Sequence, residues 1–310
     1  MVTNLLKKAV PAPMHPPIRK VVLFLIPQLS WQLRRTWGRR LRRIWRRRLR
    51  RGLLSTPLRY VVYFGFRYKC PFCRRYLRKF LPCGRKHSIL QDANVVSAGY
   101  RFDCRCPLCR SRDKERLLYL YLVNETTIFH EPVRLLHVAP ELQLRKEFEK
   151  HQNIRYLTAD INPEKNVMVN MDITDIQYSQ GSFDAIVCCH VLEHVSDDRK
   201  AISELYRTLK PGGWAILQVP ISLSLDSTVE NPSITTPEGR EKAFGQADHL
   251  RLYARDYKNR LEQAGFSVQK FKWTMSNKDY GGSANRYGLN EDEVIYCASK
   301  PETSTSLTVS

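Results

Sequence analysis

From residue 110 onward the apolar positions change period repeatedly. Spacings of three and four over Arg110–Asn124 predict an amphipathic helix, and Val133–Val138 is a short apolar run of strand type. Helical spacing returns over Glu141–His151, and Arg155–Ala159 and Val167–Asn170 read as strands. Phe183–Cys189 (FDAIVCC) is apolar on both faces, the pattern of a fully buried strand. Asp197–Leu209 is an amphipathic helix that Pro211-Gly212-Gly213 should stop, with Trp214–Val219 a strand beyond it. Tyr253–Ala264, closed by Gly265, is helical, and Phe266–Trp273 and Val294–Ala298 complete the strands. Alternating βα units of this size predict a mainly parallel sheet with helices on both faces. Pro220–Ala247 is a polar connection long enough to predict a lid or substrate loop.

Charge divides the chain differently. The 310 residues carry a net charge of +21, but residues 120–310 hold 21 basic and 26 acidic side chains. The excess lies in residues 1–60, with 16 Lys/Arg and no acid, and in residues 61–119, with 14 basic and 4 acidic. Residues 34–51 alone hold eleven arginines, and Leu33, Trp37, Leu41, Ile44, Trp45 and Leu49 would form one narrow apolar stripe on a helix. A basic helix edged with Trp suits an anionic membrane surface, so residues 31–51 are a candidate membrane contact. A nucleic-acid patch, a transit peptide and a solvated helix packed on the body are the competing readings, nucleic acid ranking below the membrane. A secretory signal does not fit, because Trp31 and arginines follow the apolar run Val21–Ile26. The expectation is a cytoplasmic protein, peripheral at the inner face of the membrane if residues 31–51 bind there.

Six of the nine cysteines fall between residues 70 and 109. Cys70-Pro-Phe-Cys73 and Cys106-Pro-Leu-Cys109 are near copies, and two C-x2-C turns can complete a tetrahedral S4 zinc site. Four protein ligands leave no open position, so the metal would be structural. Arg74 and Arg110 stand where such turns often carry Gly. Cys83 and Cys104 are spare sulfurs, and Cys104 could compete for a ligand place. An odd cysteine count argues for a reducing compartment over a disulfide framework. The organisation is therefore a basic amphipathic segment (1–60), a zinc-ribbon-like element (61–112), an α/β domain (113–300) and a disordered Ser/Thr-rich tail (301–310).

SFDAIVCCHVLEHVSD, followed at the expected distance by ELYRTLKPGGWAILQVP, resembles the class I S-adenosylmethionine-dependent methyltransferases of the type 11 kind. The likeness covers roughly residues 110–300. With the CPxC pairs before it and FGQADHLRLYARDY after it, the chain resembles a bacterial subgroup of that family. The resemblance implies a Rossmann-like seven-stranded sheet whose last strand is antiparallel, and S-adenosylmethionine as cofactor. It places Asp160 on the ribose hydroxyls, Asp172 and Ile173 at the adenine, His190 near the transferred methyl group and His194 one turn further on. The first loop, His137-Val138-Ala139-Pro140-Glu141, has no glycine where the family has several. His137, Ala139 and Glu141 are its candidates for the methionine end of the cofactor.

For the acceptor, His190 lies just after a strand, at the mouth of the site. Asp248 beside His249 could orient an imidazole as general base, with Arg251 holding an anionic or polar acceptor. Asp248 equally suits a helix cap, and Glu193 and His194 suit a cap and a packing residue. The glycine-rich stretch around Gly281-Gly282 and Gly288 could complete the pocket. The acceptor expected is a small molecule, glycan or lipid-linked metabolite methylated at oxygen or nitrogen. An RNA methyltransferase and a non-catalytic adaptor on a methyltransferase scaffold are the alternatives. Oligomeric state is not legible in the sequence.

Overall fold

The structure, a computed structural model, describes residues 56–302. The readings of residues 31–51, and nearly all of the 301–310 tail, lie outside the described residues. Among the described residues no helix is long and apolar enough to cross a membrane.

The α/β body is built on a seven-stranded sheet. We number its strands β1 (Val133–Val138), β2 (Ile154–Asp160), β3 (Val169–Asn170), β4 (Phe183–Cys189), β5 (Leu209–Gln218), β6 (Ser267–Phe271) and β7 (Ile295–Ser299). Their order across the sheet is β6-β7-β5-β4-β1-β2-β3. Strands β1 to β5 run parallel, and β7 is antiparallel to both β5 and β6. The helices of the body are α1 (Asp113–Glu125), α2 (Leu142–Phe148), α3 (Asp198–Thr208), α4 (Pro237–Phe244) and α5 (Tyr257–Glu262).

Alternation along the strands divides the core in two. Leu135, Val187 and Ile216 pack with Leu117 and Leu122 of α1 and Leu144 and Phe148 of α2. Their neighbours Leu136, Ile186 and Leu217 pack on the other side with Ile202 and Leu205 of α3 and Tyr257 and Leu261 of α5. Side chains alternate faces along a strand, so burying both faces requires the continuous apolar runs seen in the sequence.

Two departures from the expected elements have local causes. Pro211-Gly212-Gly213 lies inside β5 instead of separating it from α3, and the pairing with β4 shifts register between Leu209 and Trp214. The bulge absorbs the residues that cannot pair. The connection after β5 is not an open loop. Ile221–Ser222 pairs with Val95–Val96, and Val229–Glu230 pairs with Arg251–Leu252. Thr236 caps α4, accepting from the Gly239 amide at 3.1 Å, with Pro237 at the first position. Gly245 ends α4 at φ +83°, where a Cβ would meet the Leu90 side chain at 2.5 Å. Phe244, Leu252 and Ala93 form a small core of their own here.

The cysteine-bearing element contains two antiparallel strand pairs. Tyr68–Lys69 pairs with Tyr76–Leu77, and Leu81–Cys83 pairs with Arg101–Arg105. The long stretch between the two cysteine turns holds helix Ser88–Asp92 and strand Val95–Val96, which meet the connection after β5. Cys83 and Cys104 are joined by a disulfide with Cα atoms 5.7 Å apart. This corrects their reading as spare sulfurs: Cys104 is taken and does not compete at the metal turns, and the odd count concealed one bridge.

Arg116 fastens this element to the body. The side chain is fully buried, and its Nε donates to the carbonyl of Tyr287. Nη1 donates to the carbonyls of Cys104 and Ser111, and Nη2 to those of Asp103 and Gly288. Its guanidinium carbon lies 3.8 Å from the Phe80 ring centroid. Five donors thus meet five carbonyls. Arg116→Lys keeps the charge but supplies three donors without the planar fork. We expect it to destabilise the chain by about 3 kcal/mol or more in denaturant unfolding, because buried carbonyls lose their partners.

Candidate functional site

The strand order reverses between β1 and β4, the switch point outside which open α/β sheets bind ligands. Each of these two strands ends in a non-glycine residue with left-handed backbone: Ala139 at φ +47° after β1 and His190 at φ +58° after β4. Such conformations cost energy in L-residues and collect at ligand sites. The first loop therefore takes a glycine-like turn at Ala139 without having a glycine. The amide of Ala139 donates to the carbonyl of Ala159 at 2.8 Å, and that of His190 to Gln218 at 2.7 Å, so neighbouring strands fix both corners.

The cofactor candidates separate into rim and support. Asp160 ends β2 and accepts from the Asn162 amide at 2.9 Å. Asp172, just past β3, is exposed and accepts from the amide and hydroxyl of Thr174, both at 2.8 Å. Ile173 is buried in the apolar core. His137 is buried inside β1, one ring nitrogen 2.8 Å from the Tyr156 hydroxyl and the other 2.9 Å from Glu141. This changes the reading of His137: both nitrogens are spent, so it orients Glu141 instead of meeting a ligand itself.

A small cleft opens beside these corners. Its apolar side is Leu117, Leu118, Ile216 and Ile295, and its polar side is Lys114, Glu141, His190, Gln218 and Glu293. Glu293 is buried and accepts from the Gln218 side-chain amide at 2.9 Å and from the Ser97 hydroxyl. Burial raises its pKa and lowers that of Lys114, which faces the carboxylates of Glu141, Glu193 and Glu293. Lys114, Gln218 and Glu293 were not singled out from the sequence. Gln218 did leave a signal, as a lone amide closing the apolar run WAIL.

His190 lines the cleft with a buried Nε2 that has no hydrogen-bond partner. Its Nδ1 lies 3.4 Å from Oε1 of Glu193, whose other oxygen is also buried and unpartnered. Burial, reinforced by the charges of Lys114 and Arg101, holds the imidazole well below its ordinary pKa. Burial pushes the Glu193 carboxyl up to about 8.

The remaining catalytic candidates do not line this cleft. Asp248 faces His194 at 3.3 Å instead of orienting the adjacent His249. His249 is buried, with its ring edge on His194 at 4.8 Å between centroids and its Nε2 against the Gln246 amide. Burial lowers its pKa to about 4. Donor atoms of Glu193, His194 and His249 lie within 4.8 Å of one another. Arg251 is buried and donates to the carbonyls of Leu192 and Ser196, both at 2.8 Å, to that of Val195, and to Glu230 at 3.0 Å. It therefore holds the turn after His190, and its expected contact with an acceptor is replaced by these bonds.

The four metal candidates converge. The Cys70 and Cys109 sulfurs are 3.6 Å apart, those of Cys73 and Cys106 are 3.8 Å apart, and all four lie within 4.8 Å. A tetrahedral Zn–S bond of about 2.3 Å implies sulfur separations of about 3.8 Å. Arg74 at φ +56° and Arg110 at φ +68° adopt the glycine-like turns anticipated for them.

Residues 111–270 match the family model described as a methyltransferase domain, and the chain belongs to that family. A Mycolicibacterium smegmatis protein whose name reads "Probable S-adenosylmethionine-dependent methyltransferase" is 27% identical over 119 residues, 38% of this chain and 39% of that one. A ubiquinone biosynthesis O-methyltransferase of Chromobacterium violaceum is 27% identical over 120 residues, 37% of this chain and 48% of its own. Among solved structures, phosphoethanolamine N-methyltransferase 2 of Haemonchus contortus, in complex with S-adenosyl-L-methionine, has a TM-score of 0.39 and 13% identity, covering 60% of this chain and 53% of that one. The chain spans less than half the length of the curated relatives it matches.

The left-handed corner at Ala139 gives a direct test. Ala139→Gly relieves the Cβ strain, partly offset by the entropy glycine gains in the unfolded chain. We expect a net stabilisation of about 0.5–1 kcal/mol in denaturant unfolding.

Proposed function

We propose that the chain transfers the methyl group of S-adenosylmethionine to a hydroxyl or amine of a small-molecule, glycan or lipid-linked acceptor held in the cleft. The observation that carries this reading is the placement of His190, on the left-handed corner after β4, with its unpartnered Nε2 in a cleft at the switch point. The cofactor supplies an electrophilic methyl group on a sulfonium. Asp160 and Asp172, at the rims of β2 and β3, suit the nucleoside end, and Glu141, oriented by His137, suits the amino group at the other. The apolar side of the cleft aligns the acceptor, and His190 takes its proton as the oxygen or nitrogen is methylated. Glu193 acts through His190: once ionised, it favours the tautomer with the proton on Nδ1, whose N–H points at the carboxylate, and leaves the Nε2 lone pair facing the acceptor. Asp248 and His249 stand outside this scheme, and Arg251 positions the turn.

The adaptor alternative drew its support from the glycine-free first loop. Ala139 adopts the backbone shape that a glycine would, so that loop favours binding as much as the adaptor reading.

Titration with S-adenosylmethionine should give saturable binding that Asp160→Ala weakens at least tenfold; no binding at millimolar concentration would end the reading. Labelled methyl groups should pass from S-adenosylmethionine into an extract of cells lacking the protein. His190→Ala should lower that transfer by two orders of magnitude or more. For a hydroxyl acceptor the rate should rise with pH through about 8, as Glu193 ionises, and Glu193→Gln should remove that rise.

We also propose that Cys70, Cys73, Cys106 and Cys109 hold one structural zinc, whose role is to join the two cysteine turns. Metal analysis of the purified chain should find one zinc per molecule, lost in Cys70→Ser. A folded chain free of metal would refute the site.

A further inference from the structure

The cysteine-bearing element has a face that the cleft does not use. Four aromatic rings follow one another across it: Tyr60 and Phe64 at 5.6 Å between centroids, Phe64 and Phe66 at 5.2 Å, and Phe66 and Tyr76 at 6.1 Å. Phe66 is 78% exposed and Phe64 45%, with Val61 half exposed beside them. Buried cores rarely leave consecutive aromatic rings in water, and a contiguous apolar patch of this kind marks an interaction surface.

The rings are set among cations. Arg75 lies over Tyr60 at 5.0 Å and Lys69 over Tyr76 at 5.7 Å, while Arg67 lies over Tyr68 at 5.3 Å. Arg74, Arg78 and Lys79 are exposed on the same two-stranded hairpin and the residues flanking it. Among the described residues none of these six cations forms an ion pair with a carboxylate. Asp103 accepts from the Tyr68 hydroxyl at 2.9 Å.

We propose that this face docks on an anionic lipid surface, with Phe64 and Phe66 entering the headgroup layer and the surrounding Arg and Lys meeting lipid phosphates. Charge selects among the occupants. The chain's own residues 34–51 carry eleven arginines, and a second copy would present the same six cations, so both would set like charge against like. A polyanionic surface relieves that charge. The apolar character then favours lipid over nucleic acid: the most exposed ring is a Phe, and Val61 adds an aliphatic surface with no hydrogen-bonding group to read a base. Rings at the headgroup level with cations around them are the composition of interfacial segments. The inference does not depend on the methyl-transfer reading, nor on the membrane reading of residues 31–51.

The test is sedimentation of the full chain with vesicles of phosphatidylcholine alone or with about one-third phosphatidylglycerol, at about 0.1 and 0.5 M NaCl, a range over which screening weakens the purely ionic contribution. Binding should require the anionic lipid. Phe64→Ser/Phe66→Ser should lower the bound fraction at the higher salt at least fivefold with zinc content and thermal unfolding unchanged, and Phe66→Leu should restore most of it. Equal sedimentation of the double variant and the parent overturns the proposal, since residues 31–51 would then account for all binding. So does a double variant that keeps vesicle binding but loses retention of a single-stranded RNA, which would assign the face to nucleic acid.

Discussion

The protein depends on one buried guanidinium. Arg116 sits on α1, yet all five of its donors reach backbone carbonyls that belong to other segments: the second cysteine turn and the strand before it, and the loop before β7. A charge buried this deeply is tolerable because every donor is spent and the Phe80 ring covers its face. Next to it, Arg101 and Asp113 pair at 2.7 and 3.0 Å across the same seam. The first turn of α1, which carries Lys114 into the cleft, is thus clamped from the cysteine-bearing side. The cleft inherits its shape from contacts made some distance from the switch point.

The sheet was legible because burial on both faces leaves runs that cannot be confused with loops. Phe183–Cys189 and Val133–Val138 were found to the residue, and the antiparallel last strand followed from the family resemblance. Where the reading missed, tertiary pairing had overridden local preference. Pro211-Gly212-Gly213 reads as a stop, but β4 and β7 on either side keep the strand going through a bulge. The segment after β5 reads as polar loop because its short strands pair with Val95–Val96, more than a hundred residues away, or with Arg251–Leu252 beyond helix α4.

The site was legible less evenly. Topology puts Asp160 at the end of β2, Asp172 just past β3 and His190 just past β4, as their positions in the sequence imply. Partnerships between side chains were not legible. Asp248 and His249 are neighbours in sequence, but successive residues diverge, and the carboxylate met His194 instead. Arg251 looked like a ligand-facing cation because a sequence gives no measure of burial. Glu293 and Lys114 come from opposite ends of the domain and meet only once the sheet has closed.

The pairing of Val95–Val96 with Ile221–Ser222 bears on how such a chain can change over evolutionary time. The insertion between the cysteine turns supplies a strand to the connection after β5, a cover for Phe244 through Ala93, and the Ser97 hydroxyl that meets Glu293. Losing it would uncover apolar surface and unpair backbone in the half that carries the cleft. The cysteine-bearing element therefore lacks the independence of an appended module. Its length and composition can drift only together with residues 220–250, and the two segments should be inherited, exchanged or lost as one unit.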